Sequence, residues 1–179
     1  SKGSRRFTWA GLRAAYLPKP GNAPDQRPRR RYNQGRVMGG GSSINGMCAN
    51  RGLPSDFDEW EARGAKGWGW RDVLPYYIKL ESDRDFDGPL HGSDGPVGIR
   101  RLFEDQWPGF ITHAMAAVAE QGFENIGDQN GVHRDGYFPI PMNNIDGRRI
   151  SAPTAYLTNA ARARPNFTLL AEARVHHLL

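Results

Sequence analysis

The sequence predicts a mixed fold, α/β in part and α+β in part, and three observations point there. A glycine-rich run, Gly35-Arg36-Val37-Met38-Gly39-Gly40-Gly41-Ser42-Ser43-Ile44-Asn45-Gly46-Met47, leads out of polar chain into an ordered element. Helical start and stop signals then bracket residues 55–63, 70–81, 108–121 and 151–162. Short apolar runs of strand character stand among them, at Val97–Arg100, Phe167–Leu170 and Val175–Leu179.

Residues 1–34 hold Pro18, Pro20, Pro24 and Pro28 among many polar residues and read as a long irregular connection. Ser55, with Asp58 three residues on, suits the capping box of a helix that stops at Gly64. The next helix, from Trp70 to Glu81, tolerates Pro75 only near its first turn. Trp60, Trp68 and Trp70 are expected to pack these two helices together. Gly88 to Gly95 is turn-rich and precedes the Val97 strand. Phe110, Ile111, Ala114, Met115, Ala117 and Val118 form an apolar stripe at helical spacing, closed by Gly122. Ser151 is placed to cap a helix running to Arg162, ahead of Pro165.

A chain of 179 residues can bury a core of its own. No apolar run approaches the roughly 18 residues that would span a bilayer, and no secretory signal follows the basic first residues. The single cysteine, Cys48, excludes an internal disulfide and favours a reducing, cytoplasmic setting. Arg27, Arg29, Arg30 and Arg31 concentrate the net charge of +5, but no nucleic-acid-binding motif accompanies them. They read as a solvated loop.

The glycine run carries the chemistry. Three consecutive glycines expose backbone N–H groups and permit positive φ, which suits a loop gripping an anionic, phosphorylated cofactor. Its spacing rejects three familiar motifs. Ile44 stands where G-x-G-x-x-G needs its third glycine, no lysine follows as in a P-loop, and no glycine falls where a nucleophile elbow requires one. Glycine content alone leaves a flexible connection as the favoured reading.

Gly35 to Asn45, with Arg51-Gly52, Asp56-Phe57-Asp58-Glu59-Trp60, Gly67-Trp68 and Asp72-Val73-Leu74-Pro75-Tyr76-Tyr77, resembles the first sequence motif of the glucose–methanol–choline (GMC) oxidoreductases. Gly92-Ser93-Asp94-Gly95-Pro96, Asp128-Gln129-Asn130-Gly131, Arg149-Ile150-Ser151-Ala152 and Arg164-Pro165-Asn166-Phe167 resemble later landmarks in the same order. The resemblance implies part of a Rossmann-like, glutathione-reductase-type FAD-binding domain over residues 1–95. It further implies the start of a substrate-binding domain over 96–164 and a return to the FAD domain over 165–179. It implies oxidation of a small-molecule alcohol by hydride transfer to flavin, with oxygen or another electron acceptor, and no nucleic acid.

Carried over residue by residue, the FAD contacts fall at Gly40, Gly41, Asn45, Gly46, Cys48 and, through its backbone, Val175. Asn45 can both donate and accept toward a flavin edge, although Asn-Gly is also a turn pair. Cys48 reads equally as a small buried hydrophobe. Ile44 occupies the place where some members carry a flavin-linked histidine, so FAD is expected to be non-covalent here. Met38 and Gly41 depart from the residues usual at their positions, and Gly41 leaves only backbone to meet the cofactor.

His91, His113, His133, His176 and His177 lack metal-ligand spacing and are assigned no catalytic role. Asp56 and Asp58 read as early helix residues, and Arg149 and Ser151 as ion-pair and capping residues. The resemblance places the catalytic histidine and its His or Asn partner outside residues 1–179, and the chain reads as an internal segment, inactive by itself. Two alternatives stay open: a non-catalytic binding module using the Arg27–Arg31 segment, and a hydroxynitrile lyase-like member that keeps FAD structurally.

Overall fold

Backbone pairing begins inside the stretch that the prolines mark as irregular. In the computed structural model, which describes residues 12–16, 31–173, 175 and 177, β1 (Leu12–Tyr16) and β2 (Arg31–Gly35) pair antiparallel, Leu12 opposite Gly35 and Tyr16 opposite Arg31. The irregular reading of residues 1–34 is therefore corrected for both arms. LRAAY and RYNQG show no clean apolar alternation, so only the ladder of main-chain hydrogen bonds reveals them. The four prolines and Arg27, Arg29 and Arg30 lie outside the described residues. After β2 the glycine run winds into a 3-10 turn, Gly40–Ser43.

The chain forms two compact units, one of Ser1–Asn45 with Leu157–Leu179 and one of Gly46–Tyr156. In the second, α1 (Pro54–Ala62) starts one residue before the expected cap. Pro54 fits the first turn, where its missing N–H costs nothing, and the Leu53 N–H donates to Asp56 Oδ2 at 2.9 Å. Asp56, not Ser55, thus closes the helix start. Gly64, at φ 112°, ends it as expected.

The α2 helix (Trp70–Leu80) carries Pro75 in its interior, beyond the first turn that the sequence allowed it. Asp58 Oδ1 accepts from the Trp70 N–H at 2.9 Å, so a residue of α1 caps α2. Phe57 lies between the helices, its ring centroid 5.4 Å from that of Trp60, 5.7 Å from Trp70 and 6.0 Å from Tyr77. The expected tryptophan packing is present, though Trp60 and Trp68 remain about half exposed.

From α2 the chain passes directly into β3 (Glu81–Asp83), which pairs in parallel with β4 (Val97–Ile99). Both strands are buried throughout. The connection doubles back so closely that a Cβ on Gly92 would collide with the Ile78 carbonyl, which accounts for glycine in that landmark. The α3 helix (Gly109–Glu120) matches the apolar stripe, but none of its residues is buried and Phe110 is among the most exposed side chains. A two-residue pair, β5 (Asn144–Ile145) with β6 (Arg148–Arg149), packs on β4.

The helix expected over 151–162 is two helices. Ser151 Oγ bonds Thr154 Oγ1 at 2.9 Å at the start of α4 (Ala152–Tyr156). The chain then leaves the second unit, and Thr158 Oγ1 caps α5 (Asn159–Arg162) by accepting from the Ala161 N–H. Thr158 competes with helix continuation because its hydroxyl offers the backbone another partner. Phe167–Leu170 is irregular, not a strand, because a strand needs a paired neighbour and none among the described residues lies beside it. Arg174, His176, Leu178 and Leu179 lie outside the described residues at the chain's end, and Val175 is irregular and exposed.

The apolar core of the second unit is small: Val97, Ile99 and Ala155, flanked by Ala49 and Ile150. Charged and polar groups fill much of the rest of its interior, with Arg51, Glu81, Asp83, Arg101, Asp128 and Asn130 all buried.

Candidate functional site

The glycine loop is built by close approach on one side and openness on the other. A Cβ on Gly35 would stand 2.5 Å from the Gly40 carbonyl oxygen, so β2 and the loop touch where only glycine fits. Gly39 and Gly40 take left-handed φ values of 89° and 51°. The Gly40 N–H donates to Val37 O at 2.9 Å, while Gly41 O accepts from the N–H groups of Ile44 at 3.1 Å and Asn45 at 2.8 Å. Ser42 and Ser43 donate their hydroxyls to Gly39 O and Met38 O, each at 2.7 Å. A Cβ placed on Gly40 or Gly41 would meet nothing within 4 Å. The loop therefore leaves open backbone at Gly40 and Gly41, while the N–H groups of Gly40, Ser42, Ile44 and Asn45 are taken up within the turn.

Gly40, Gly41 and Asn45 are thus brought together in one turn of the first unit. In the same unit a cleft of about 950 Å3 runs between Gln34–Met38 and Leu169–Ala173. Val175, two residues beyond that wall, is exposed. Gly46 and Cys48 belong to the second unit, where Cys48 is exposed with its Sγ 3.8 Å from Gly46 O. That exposure corrects the reading of Cys48 as a small buried hydrophobe.

The second unit also holds a buried ionic cluster that the sequence did not disclose. His91 Nε2 lies 2.8 Å from Asp128 Oδ2, and its Nδ1 lies 3.2 Å from Glu81 Oε1 and 3.3 Å from Asp83 Oδ2. Arg101, 1% exposed, donates from NH1 to both oxygens of Asp83 and from NH2 to Asp128 Oδ1, each at 2.9 Å. Its guanidinium lies over the Phe86 ring at 4.6 Å. Arg51 places NH2 2.6 Å from Glu81 Oε1 and donates from NH1 to Leu90 O at 2.7 Å.

Three cations thus face four carboxylates, Asp85 Oδ2 lying 3.7 Å from Arg101 NH1, and the proton affinities follow. Hydrogen bonds to Asp128, Asp83 and Glu81 outweigh the burial of His91 and raise its pKa to about 11. Burial alone would raise Asp83 and Asp128, but hydrogen bonds from His91 and the charge of Arg101 hold both below the ordinary carboxylate value. His91 is therefore a fixed cation, unavailable as a base. Glu81, Asp83 and His91 have the spacing of a metal cluster. A protonated imidazole has no free lone pair, however, and both arginines already neutralise the carboxylates.

Asn130, fully buried, links this cluster to the chain just after Cys48. Its Nδ2 donates to Ala49 O at 3.1 Å, and its Oδ1 accepts from the Arg51 N–H at 3.0 Å. Arg51 and the Asp128–Gly131 run were visible in the sequence only as landmarks of the resemblance. Contacts spanning 79 residues leave no local signal.

The family model described as GMC oxidoreductase matches residues 11–179. This chain belongs to the GMC oxidoreductase family. It is 46% identical over 178 residues to 5-(hydroxymethyl)furfural oxidase of Methylovorus sp. (strain MP688), covering 97% of this chain and 33% of that protein. It is 39% identical over 167 residues to oxygen-dependent choline dehydrogenase of Sinorhizobium medicae (strain WSM419), covering 92% of this chain and 28% of that one. The chain thus spans about a third of the length of the curated relatives it matches.

Among solved structures, pyridoxine 4-oxidase from Mesorbium loti superposes with a TM-score of 0.73 at 33% identity, over 80% of this chain and 28% of that one. An FAD-dependent oxidoreductase from Chaetomium thermophilum superposes at 0.69 with 26% identity, over 88% and 31%. The mixed α/β fold is thus that of the FAD-binding part of GMC oxidoreductases. Among the described residues no helix is long and apolar enough to cross a membrane.

Proposed function

We propose that residues 1–179 form a segment of an FAD-dependent alcohol oxidoreductase, contributing part of its FAD-binding domain and the start of its substrate-binding domain. The observation that carries this reading is the family match over residues 11–179, with the glycine loop as the part of the chain that offers open backbone at Gly40 and Gly41. A cleft in the same unit, lined by Gln34–Met38 and Leu169–Ala173, lies close along the chain to the glycine loop and to Val175, although none of the residues that the resemblance assigns to FAD lines it.

In this reading the turn at Gly40 and Gly41 meets the phosphate and ribityl portion of FAD, and the Asn45 amide faces the flavin edge. Gly46 and Cys48 lie toward the flavin ring, and the Val175 backbone toward the adenine. Ile44 cannot bond a flavin covalently, so FAD is held non-covalently at this position. Bound FAD would supply the two-electron acceptor for oxidising an alcohol to an aldehyde or ketone, with oxygen or another acceptor taking the electrons on. The resemblance places the base outside residues 1–179, and within them His91 has both ring nitrogens held by carboxylates. Furfural carrying a hydroxymethyl group and choline both present a primary alcohol, which makes primary alcohols the substrate class to test first.

The test is purification of the natural gene product. A species heavier than the 20.0 kDa of this chain, yellow, releasing its flavin on acid precipitation and oxidising primary alcohols is expected. A colourless protein would overturn the reading, and flavin retained in the precipitate would overturn its non-covalent part.

A further inference from the structure

Met47 is one of three non-glycine residues among those described with positive φ, at 65°. Such a backbone is strained and persists where its surroundings over-determine it. Here they do. The Met47 carbonyl accepts from the Asn143 N–H at 2.8 Å, and the Ala49 N–H donates to Pro141 O at 2.8 Å. On the far side Asn130 takes both Ala49 O and the Arg51 N–H, as the backbone of a neighbouring strand would. Asn130 is itself held by its N–H to Asp128 Oδ1 at 3.1 Å, inside the ionic cluster.

We propose that Asn130 is a positioning residue: it clamps the Met47–Arg51 segment, which begins at the strained Met47, and so fixes the placement of Cys48. The inference rests on the reading above, in which Cys48 lies toward the flavin ring. An amide suits the task because its acceptor and its donor sit on separate atoms that reach two backbone groups at once, where a carboxylate has no donor and a hydroxyl has only one atom. The ionic cluster supplies the rigid anchor, since each of its charges is locked by at least two partners on different elements.

The experiment uses the natural full-length flavoprotein and reads two signals, the visible flavin spectrum and the alkylation rate of Cys48 by peptide mass spectrometry, with and without flavin. In the unsubstituted protein bound flavin is expected to slow Cys48 alkylation. In Asn130→Ala, flavin is expected to bind still, through the glycine loop, while protection of Cys48 falls about tenfold, the effect of two lost hydrogen bonds. Asn130→Asp, isosteric and more conservative should the alanine variant fail to fold, keeps the Arg51 bond and is expected to lose part of the protection. Met47→Gly in the Asn130→Ala background is expected to recover it in part, because glycine takes φ near 65° without strain. Protection and spectrum unchanged in both Asn130 variants would overturn the positioning role while leaving the flavin reading intact. Bound flavin that never protects Cys48, even in the unsubstituted protein, would overturn the inference together with the assignment of Cys48.

Discussion

Arg101→Met tests whether the buried cluster, rather than the small apolar core, holds the second unit together. The side chain is 1% exposed and makes three hydrogen bonds at 2.9 Å, two to Asp83 and one to Asp128. Methionine can keep the contact with Phe86 but none of these bonds. Two buried carboxylates would then face His91 as their remaining close cation. Removing one partner of a buried ion pair costs about 3–5 kcal/mol, because the other charge stays desolvated. At about 2–4 °C per kcal/mol for a domain of this size, the melting temperature should fall by about 6–20 °C. Urea denaturation followed by tryptophan fluorescence measures the loss, with Trp70 reporting from its place against Phe57 and Tyr77. Asp83→Asn added to Arg101→Met should return part of the stability, and the double-mutant cycle gives the coupling directly. A loss below about 1 kcal/mol, the value of an exposed pair, would refute the reasoning.

Stability should also depend on pH at both ends. His91 has its pKa raised from 6.5 to about 11 in the folded protein, so its contribution is complete below pH 6.5 and drains away as pH rises toward about 11. Asp83 and Asp128, held below their ordinary 3.8, contribute fully above that pH and lose it as pH falls further. Melting temperatures across pH should therefore plateau between these limits, and His91→Gln should flatten the alkaline arm. Gly35→Ala should destabilise by about 1–3 kcal/mol through collision with the Gly40 carbonyl. Gly41→Ala, whose Cβ meets nothing, should stay within about 0.5 kcal/mol of the original yet weaken flavin retention, which separates fold from cofactor contact in a paired melt and flavin-release assay. Asp56→Ala should cost about 1 kcal/mol by freeing the Leu53 N–H, whereas Ser55→Ala should change little.

Periodicity and punctuation carried the local structure. Gly64 and Gly122 end their helices, at φ 112° and 89°, because glycine alone takes that conformation without strain. Val97–Ile99 is a strand because it reads as one in any context that supplies a partner. The glycine loop was legible for a like reason: its geometry depends on the residues themselves, and its order of glycine, hydroxyl and amide survives as a family motif.

What failed to show in the sequence depended on partners far along the chain. β1 and β2 have no apolar alternation and exist through each other's backbone, and Thr158 interrupts a continuous helical pattern just where the chain passes from one unit to the other. In the sequence His91 stands in the turn-rich Gly88–Gly95 stretch, without metal-ligand spacing and with no catalytic role assigned. Its charge was decided by Glu81, Asp83 and Asp128 converging on both ring nitrogens, and Asn130 became a clamp only because folding brought Ala49 and Arg51 against it. A residue type sets which hydrogen bonds and charges are available, which sequence alone determines; which of them are buried together, and so become strong, is a property of the tertiary fold.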